Sequence, residues 1–338
     1  MTPRRAGGGF LPATSEDDTH SSLSRRETTR PKPCGQTRMI VPKHAQLGRM
    51  VRSLGWPLAL FLIWDFAVVV SYVTLHHDLR LYLPVLPLSL LGSALVLFLG
   101  FRNNSAYARW WEARTLWGAM VNSSRSFGRQ VLSFIPDTPD TVPFKREVVQ
   151  RQVAYVHALR FALRRQDGWK EIGRHVPDDE LSRLKGMNNL PNAILAIAAS
   201  RLAHARAQGW IDSIQQMRLE STMVDLSNAQ GGMERIKNTP LPRQYTFFPR
   251  FFVHVFCVLL PVGLVESLGF YTPLASFVVG FMLLAIEQIG DDIQDPFENT
   301  VNDVPLTAIC RTIEIDLLQS IGDMNTPAPV KPENDVLW

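Results

Sequence analysis

The sequence is poor in cysteine. Its 338 residues hold three, Cys34, Cys257 and Cys310, far apart and without a CxxC pair. That spacing argues against a disulfide framework and against a zinc ribbon. Catalytic and nucleotide-binding signatures are missing as well: no GxxxxGK[ST], GxGxxG, HExxH or GxSxG occurs. A nucleotide-driven pump and a hydrolase therefore have no motif support. No hydrophobic stretch follows the early arginines Arg4 and Arg5, so the N-terminus does not read as a secretory signal. At 46% hydrophobic and 20% charged, the composition excludes collagen, a coiled coil and a wholly disordered chain. It leaves a membrane protein open, because averages hide segregation.

Charge is nearly absent from two early stretches. Residues 56–75 carry one charged side chain, Asp65, and residues 81–101 carry none. About 20 apolar residues suffice to cross a hydrocarbon core of about 30 Å as a helix. The link at 76–80 is short, so the two read as a helical hairpin. A second pair follows at 251–270, which contains His254 and Glu266, and at 272–286, which is charge-free but short. Beside its neighbour the latter reads as a short or tilted span. Four spans in two hairpins put both termini and the central block on one side.

Charge distribution orients that arrangement. The formal net charge of +4 is a cancellation: residues 1–52 carry +6, 53–101 carry −1, 102–246 carry +8 and 247–338 carry −9. Positive flanks near spans mark the cytoplasmic face. Arg49 and Arg52 precede the first span, Arg102, Arg109 and Arg114 follow the second, and Arg243 and Arg250 precede the third. A multi-pass protein of the plasma (inner) membrane is expected, with N- and C-termini cytoplasmic. Residues 1–38 are rich in Gly, Pro, Ser, Thr and Arg and read as a disordered extension. The segment from Met39 would suit a natural start. The remaining units are 39–101 with the first hairpin, a helical cytosolic domain at 102–246, the second hairpin at 247–289, and an acidic C-terminal segment and tail at 290–338.

The central block reads as helix throughout. Residues 105–134 contain no proline, so the second span is expected to continue as a long helix out of the membrane. Residues 144–166 repeat apolar side chains at helical spacing. Pro177-Asp178-Asp179-Glu180 starts another helix, with proline and acids at the positive end. Helices are also expected over 191–208 and 212–230, the second closed by Gly231-Gly232.

The sharpest chemical motif is acidic. Asp291, Asp292 and Asp295 spell DDxxD directly after the fourth span. Such carboxylates could hold Mg²⁺ on a diphosphate, which makes a membrane prenyltransferase the distant enzyme alternative. No second aspartate motif faces the first. The plainer reading is an acidic turn that caps a helix and pairs with the basic block.

The segment Phe101-Arg102-Asn103-Asn104-Ser105-Ala106-Tyr107-Ala108-Arg109-Trp110-Trp111 follows a proline-interrupted span ending LFLGF. Together with Asp295-Pro296-Phe297-Glu298, the two separated hairpins and the PNAIL segment at 191–195, it resembles the bacterial branch of the bestrophin family. The resemblance covers roughly residues 39–318. It implies an all-α integral membrane protein, a homopentamer around a central pore, with four transmembrane helices per subunit and a large helical cytosolic part. It also implies a channel rather than an enzyme, with no required cofactor. The implied partners are the lipid bilayer, further copies of the chain and monovalent ions, and no nucleic acid.

The same resemblance places a narrow pore neck at Ser93, Leu97 and Phe101, with Arg102, Asn103 and Asn104 closing the pore helix. Positions i, i+4 and i+8 share one helix face, and apolar rings gate by dewetting. Ser93 stands where a bulky apolar residue is usual, which implies a wider, wetter outer ring. A cytosolic constriction is implied at Ile194, or alternatively Leu195. The acidic segment matches the Ca²⁺-binding region of animal bestrophins, but Ile293, Gln294 and Pro296 interrupt it. Calcium takes six to eight oxygens. No physiological Ca²⁺ regulation is therefore expected, with Asp292 and Asp295, and less so Asp291 and Glu298, as residual ligands. Selectivity is expected for anions, chloride first; a Na⁺-permeable channel of the same fold is the alternative. Other residues have plainer roles: Asp65 and Glu266 pair with each other or with His254, or lie along a permeation route. His76-His77 form an exposed outer turn.

Overall fold

The computed structural model describes residues 47–79, 87–332 and 336–337. The expected disordered extension over 1–38 and the start of the second span at 81–86 lie outside them. Among the described residues the regular elements are helices: α1 Leu47–Leu79, α2 Leu88–Phe134, α3 Thr141–Arg164, α4 Trp169–Ile172, α5 Asp178–Leu184, α6 Leu190–Ala207, α7 Ser213–Asn238, α8 Arg243–Leu268, α9 Thr272–Gln294 and α10 Leu306–Ser320. A 3-10 turn, Gly269–Tyr271, joins α8 to α9.

Helix α2 is the spine. At 47 residues it is about 70 Å long. Its first part packs Leu95 and Leu99 against Leu54 and Leu58 of α1, Val253, Phe256, Cys257 and Leu260 of α8, and Leu283 and Leu284 of α9. Its second part carries Ala113, Trp117, Met120, Phe127 and Val131 into a larger core shared with α3, α6, α7 and α10. One rigid helix thus runs through an apolar four-helix layer and a separate helical block.

The apolar layer has the proportions of a membrane domain. Residues Leu54–Thr74 of α1, and the run Arg243–Gln294 that covers α8 and α9, are long and apolar enough to cross a bilayer. Large apolar side chains, among them Trp56, Ile63, Phe66, Val70, Phe270 and Leu274, point outward from this layer. In water such a surface would be costly; against lipid it is not. Asp65 is buried between α1 and α9, where the Ser276 hydroxyl donates to its Oδ1 at 3.0 Å. It pairs with neither His254 nor Glu266: His254 Nδ1 lies 2.7 Å from the Arg250 carbonyl, and Glu266 is exposed.

Two expectations need correction, and the C-terminal segment adds an element. Helix α1 continues through His76-His77 to Leu79, so these positions are helical, where a turn was expected. Helix α7 runs through Gly231-Gly232 to Asn238. The acidic C-terminal segment contains a full helix, α10, that buries Leu306, Cys310, Ile313 and Leu317.

Candidate functional site

Ser93, Leu97 and Phe101 lie on one face of α2. The Leu97 side chain is 60% exposed and that of Phe101 59% exposed, although the opposite face holds the buried Leu95, Leu99, Arg102 and Ala106. The single chain therefore leaves an apolar stripe open on its central helix. Ser93 is exposed too, and its hydroxyl donates to the Ser89 carbonyl at 2.7 Å. That bond turns the proton inward and leaves the oxygen lone pairs toward the surface.

One residue below the stripe, the chain builds a clamp. Arg102 is fully buried at 1% exposure. It donates to the Glu287 carbonyl at 3.0 Å, lies 3.5 Å from the Glu287 carboxylate and pairs closely with Asp291. Arg250 of α8 reaches the same two acids, at 3.1 Å to Glu287 Oε1 and in close contact with Asp291. Beside Arg102, Asn103 Nδ2 donates to the Ile286 carbonyl at 2.8 Å. Gly290 makes this approach possible, because a Cβ there would overlap the Asn103 side chain. Asn104 points to the surface.

A second arginine works two turns on. Arg109 Nε donates to the Gln294 carbonyl at 2.8 Å and its Nη1 to the Thr239 carbonyl at 2.6 Å, with a further close bond to Ile236. These carbonyls close α9 and α7, where the helix dipoles are negative and the last carbonyls lack partners. Burial lowers the pKa of Arg109, which Asp295 at 3.8 Å and Glu112 counter. It remains a cation at neutral pH. Burial likewise lowers that of Arg102, with Glu287 opposing.

The acidic segment is thus consumed by pairing. Asp291 meets two arginines, Glu298 meets Lys237 at 2.6 Å, and Asp292 accepts from Gln288 at 2.7 Å and Asn302 at 3.1 Å. The three DDxxD carboxylates are engaged with different partners, which gives the Mg²⁺–diphosphate reading no support. Among the described residues, the three-ligand cluster lies elsewhere.

The PNAIL segment behaves differently from expectation. Ile194 is 1% exposed and Leu195 is buried, both within the helical core of the subunit. Neither side chain is free to line an axis. Among the described residues of α6 and α7, the large apolar side chains open to solvent are Ile214, Met217 and Val224. A second apolar ring would therefore come from α7. The sequence signal was there: Ile214 and Met217 interrupt the polar run that follows the capping box of Asp212 and Gln215.

A helical layer with an apolar exterior, an uninterrupted central helix with an open apolar stripe, and a polar clamp just past that stripe define an all-helical protein of the membrane-protein class. The family is settled by similarity. Residues 28–319 match the model of the Bacterial/Fungal Bestrophin protein family, and the chain belongs to it. Escherichia coli K12 has a relative described as voltage-dependent anion channel-forming protein YneE. It is 35% identical over 286 residues, covering 85% of this chain and 92% of that one. A similarly described protein of Ralstonia nicotianae is 37% identical over 294 residues, covering 84% and 95%. The crystal structure of a bacterial bestrophin homolog from Klebsiella pneumoniae superposes with a TM-score of 0.75 at 32% identity, covering 80% of this chain and 98% of that one.

Proposed function

We propose that the chain is one subunit of a homopentameric channel that passes small monovalent anions, chloride above all, down their gradient across the inner membrane. Helices α1, α8 and α9 and the first part of α2 are its four spans, with both termini and the helical block on the cytoplasmic side. The observation that carries this reading is the open stripe Ser93, Leu97 and Phe101. Five copies around an axis turn it into stacked rings that restrict ions by dewetting. The names of the relatives favour anions. So does the net +8 of residues 102–246, which raises the local anion concentration. A second constriction is assigned to α7, at Ile214 or Met217, in place of Ile194. Purified protein in chloride-loaded liposomes should release chloride down its gradient; retention equal to empty liposomes would contradict the proposal.

Calcium regulation is not part of it. A Ca²⁺ ion would have to displace Arg102 and Arg250 from Asp291, and the other carboxylates are turned to their own partners, Asp292 to Gln288 and Asn302 and Glu298 to Lys237. Macroscopic current should stay constant between Ca²⁺-free and micromolar Ca²⁺ solutions on the cytoplasmic side. A steep rise over that range would overturn this part.

A further inference from the structure

Away from the neck and its clamp, the helical block encloses a second polar cluster. His157 comes from α3, His175 from the connection between α4 and α5, and Glu314 from α10. Their side chains are 0%, 8% and 7% exposed. His157 Nε2 lies 3.1 Å from Glu314 Oε2, and His175 Nε2 lies 3.4 Å from Glu314 Oε1. The two imidazoles are parallel within 2° at 6.1 Å between centroids. One donor atom from each residue falls within 4.8 Å of the others.

These dimensions suit zinc. Bonds of about 2.0–2.1 Å to tetrahedral Zn²⁺ place neighbouring donors about 3.4 Å apart. Each imidazole already stands at about that distance from one oxygen of the Glu314 carboxylate, His157 from Oε2 and His175 from Oε1, so a small turn of the carboxylate and of the rings brings the three donors onto one ion. The donors are short of partners as well: His157 Nδ1 and His175 Nε2 are buried without a hydrogen bond, an arrangement that native interiors seldom tolerate.

The surroundings supply an outer shell. Glu171 Oε1 stands 3.7 Å from His157 Nδ1, where it would accept from a ring that ligates through Nε2. Arg160 fixes Glu171 at 2.5 Å. Arg311 lies 3.1 Å from Glu314 Oε2 and 3.5 Å from Glu171. The two arginines, Arg160 and Arg311, are matched by the two carboxylates, Glu171 and Glu314, so the ion pairs bring no excess cation to repel a metal. Two imidazoles and one carboxylate select a zinc-like ion over calcium or magnesium, which require oxygen donors.

We propose that His157, His175 and Glu314 form a Zn²⁺ site that ties α3, the α4–α5 connection and α10 together. A fourth position is left for water. The metal would act as a staple on the helical block, independent of conduction through the neck.

The test uses the full chain, purified in detergent, stripped with chelator and titrated with ZnCl₂. Wild type should retain one zinc per chain after desalting, and its apparent Tm should rise by several degrees. Zinc K-edge absorption should show two imidazoles near the metal. His175→Gln should lose that one equivalent and the Tm response, whereas His204→Gln, at an exposed histidine, should keep both. Matching elution and zinc-free Tm of His175→Gln and wild type guard against misfolding. If His175→Gln does misfold, the absorption spectrum of wild type decides. Equal zinc content in wild type and His175→Gln, no retained zinc in wild type, or a spectrum without two imidazoles would overturn the site.

Discussion

Leu97→Ala and Phe101→Ala, made singly and together, should each raise single-channel conductance or open probability, and the pair should raise it most. In the proposed pentamer each side chain would occur five times around the axis, so one substitution would strip a whole ring of methyl groups or phenyl rings. Widening an apolar ring lets water stay in it, and the ion then keeps its hydration shell. A rise on the order of tenfold corresponds to about 1.4 kcal/mol off the barrier. Because both side chains are exposed in the single subunit, their removal should leave its core intact. Ser93→Leu should act in the opposite sense, by drying the outer ring. Unchanged currents in the double variant would place the stripe against lipid or a neighbouring subunit.

Arg102→Ala should be the most destabilising change near the neck. The side chain is buried among Glu287, Asp291 and the Glu287 carbonyl. Removing one partner of a buried charge network leaves the others desolvated and costs about 3–5 kcal/mol. Arg250 still reaches both acids, which sets the expected loss at the lower end. For a domain of this size, about 3 kcal/mol lowers Tm by roughly 6–12 °C. Arg250→Ala should cost much less, because that side chain is 55% exposed and its pairs are screened. Tryptophan fluorescence during heating in detergent measures both. Equal Tm values for Arg102→Ala and wild type would show that the clamp does not hold α2 to α9.

The clamp also explains how the site is positioned. Phe101 and Arg102 are adjacent, about 100° apart around α2, so with Arg102 turned into the interior Phe101 lies at the surface. Anchoring Arg102 into α9 fixes the rotation of the helix about its own axis and presents Phe101 and Leu97 outward. Arg109 repeats the device two turns on, against the ends of α7 and α9.

Much of this could be read from sequence. The apolar runs, the continuous α2 and the pairing of the acidic segment with basic residues follow from periodicity and charge. The end of α7 did not, because Gly231-Gly232 looks like a terminator. Packing overrides that preference: a Cβ on Gly232 would come within 2.8 Å of Leu116, so the glycine lets α7 lie closely along α2. Helix α10 did carry a signal, with apolar residues at 306, 310, 313 and 317, but its acids drew attention first. Ile194 and Leu195 fell to the core because helical spacing alone does not say which face a neighbouring helix covers. The His157–His175–Glu314 cluster was illegible: its members are scattered along the chain, and only the packing of α3 against α10 brings them together.

The central claim is that this chain forms an anion-conducting pore. It is tested most directly by recording purified protein in planar bilayers with asymmetric NaCl. The account predicts unitary currents that reverse near the chloride equilibrium potential. Reversal near the sodium equilibrium potential, or no conductance from correctly assembled protein, would contradict it.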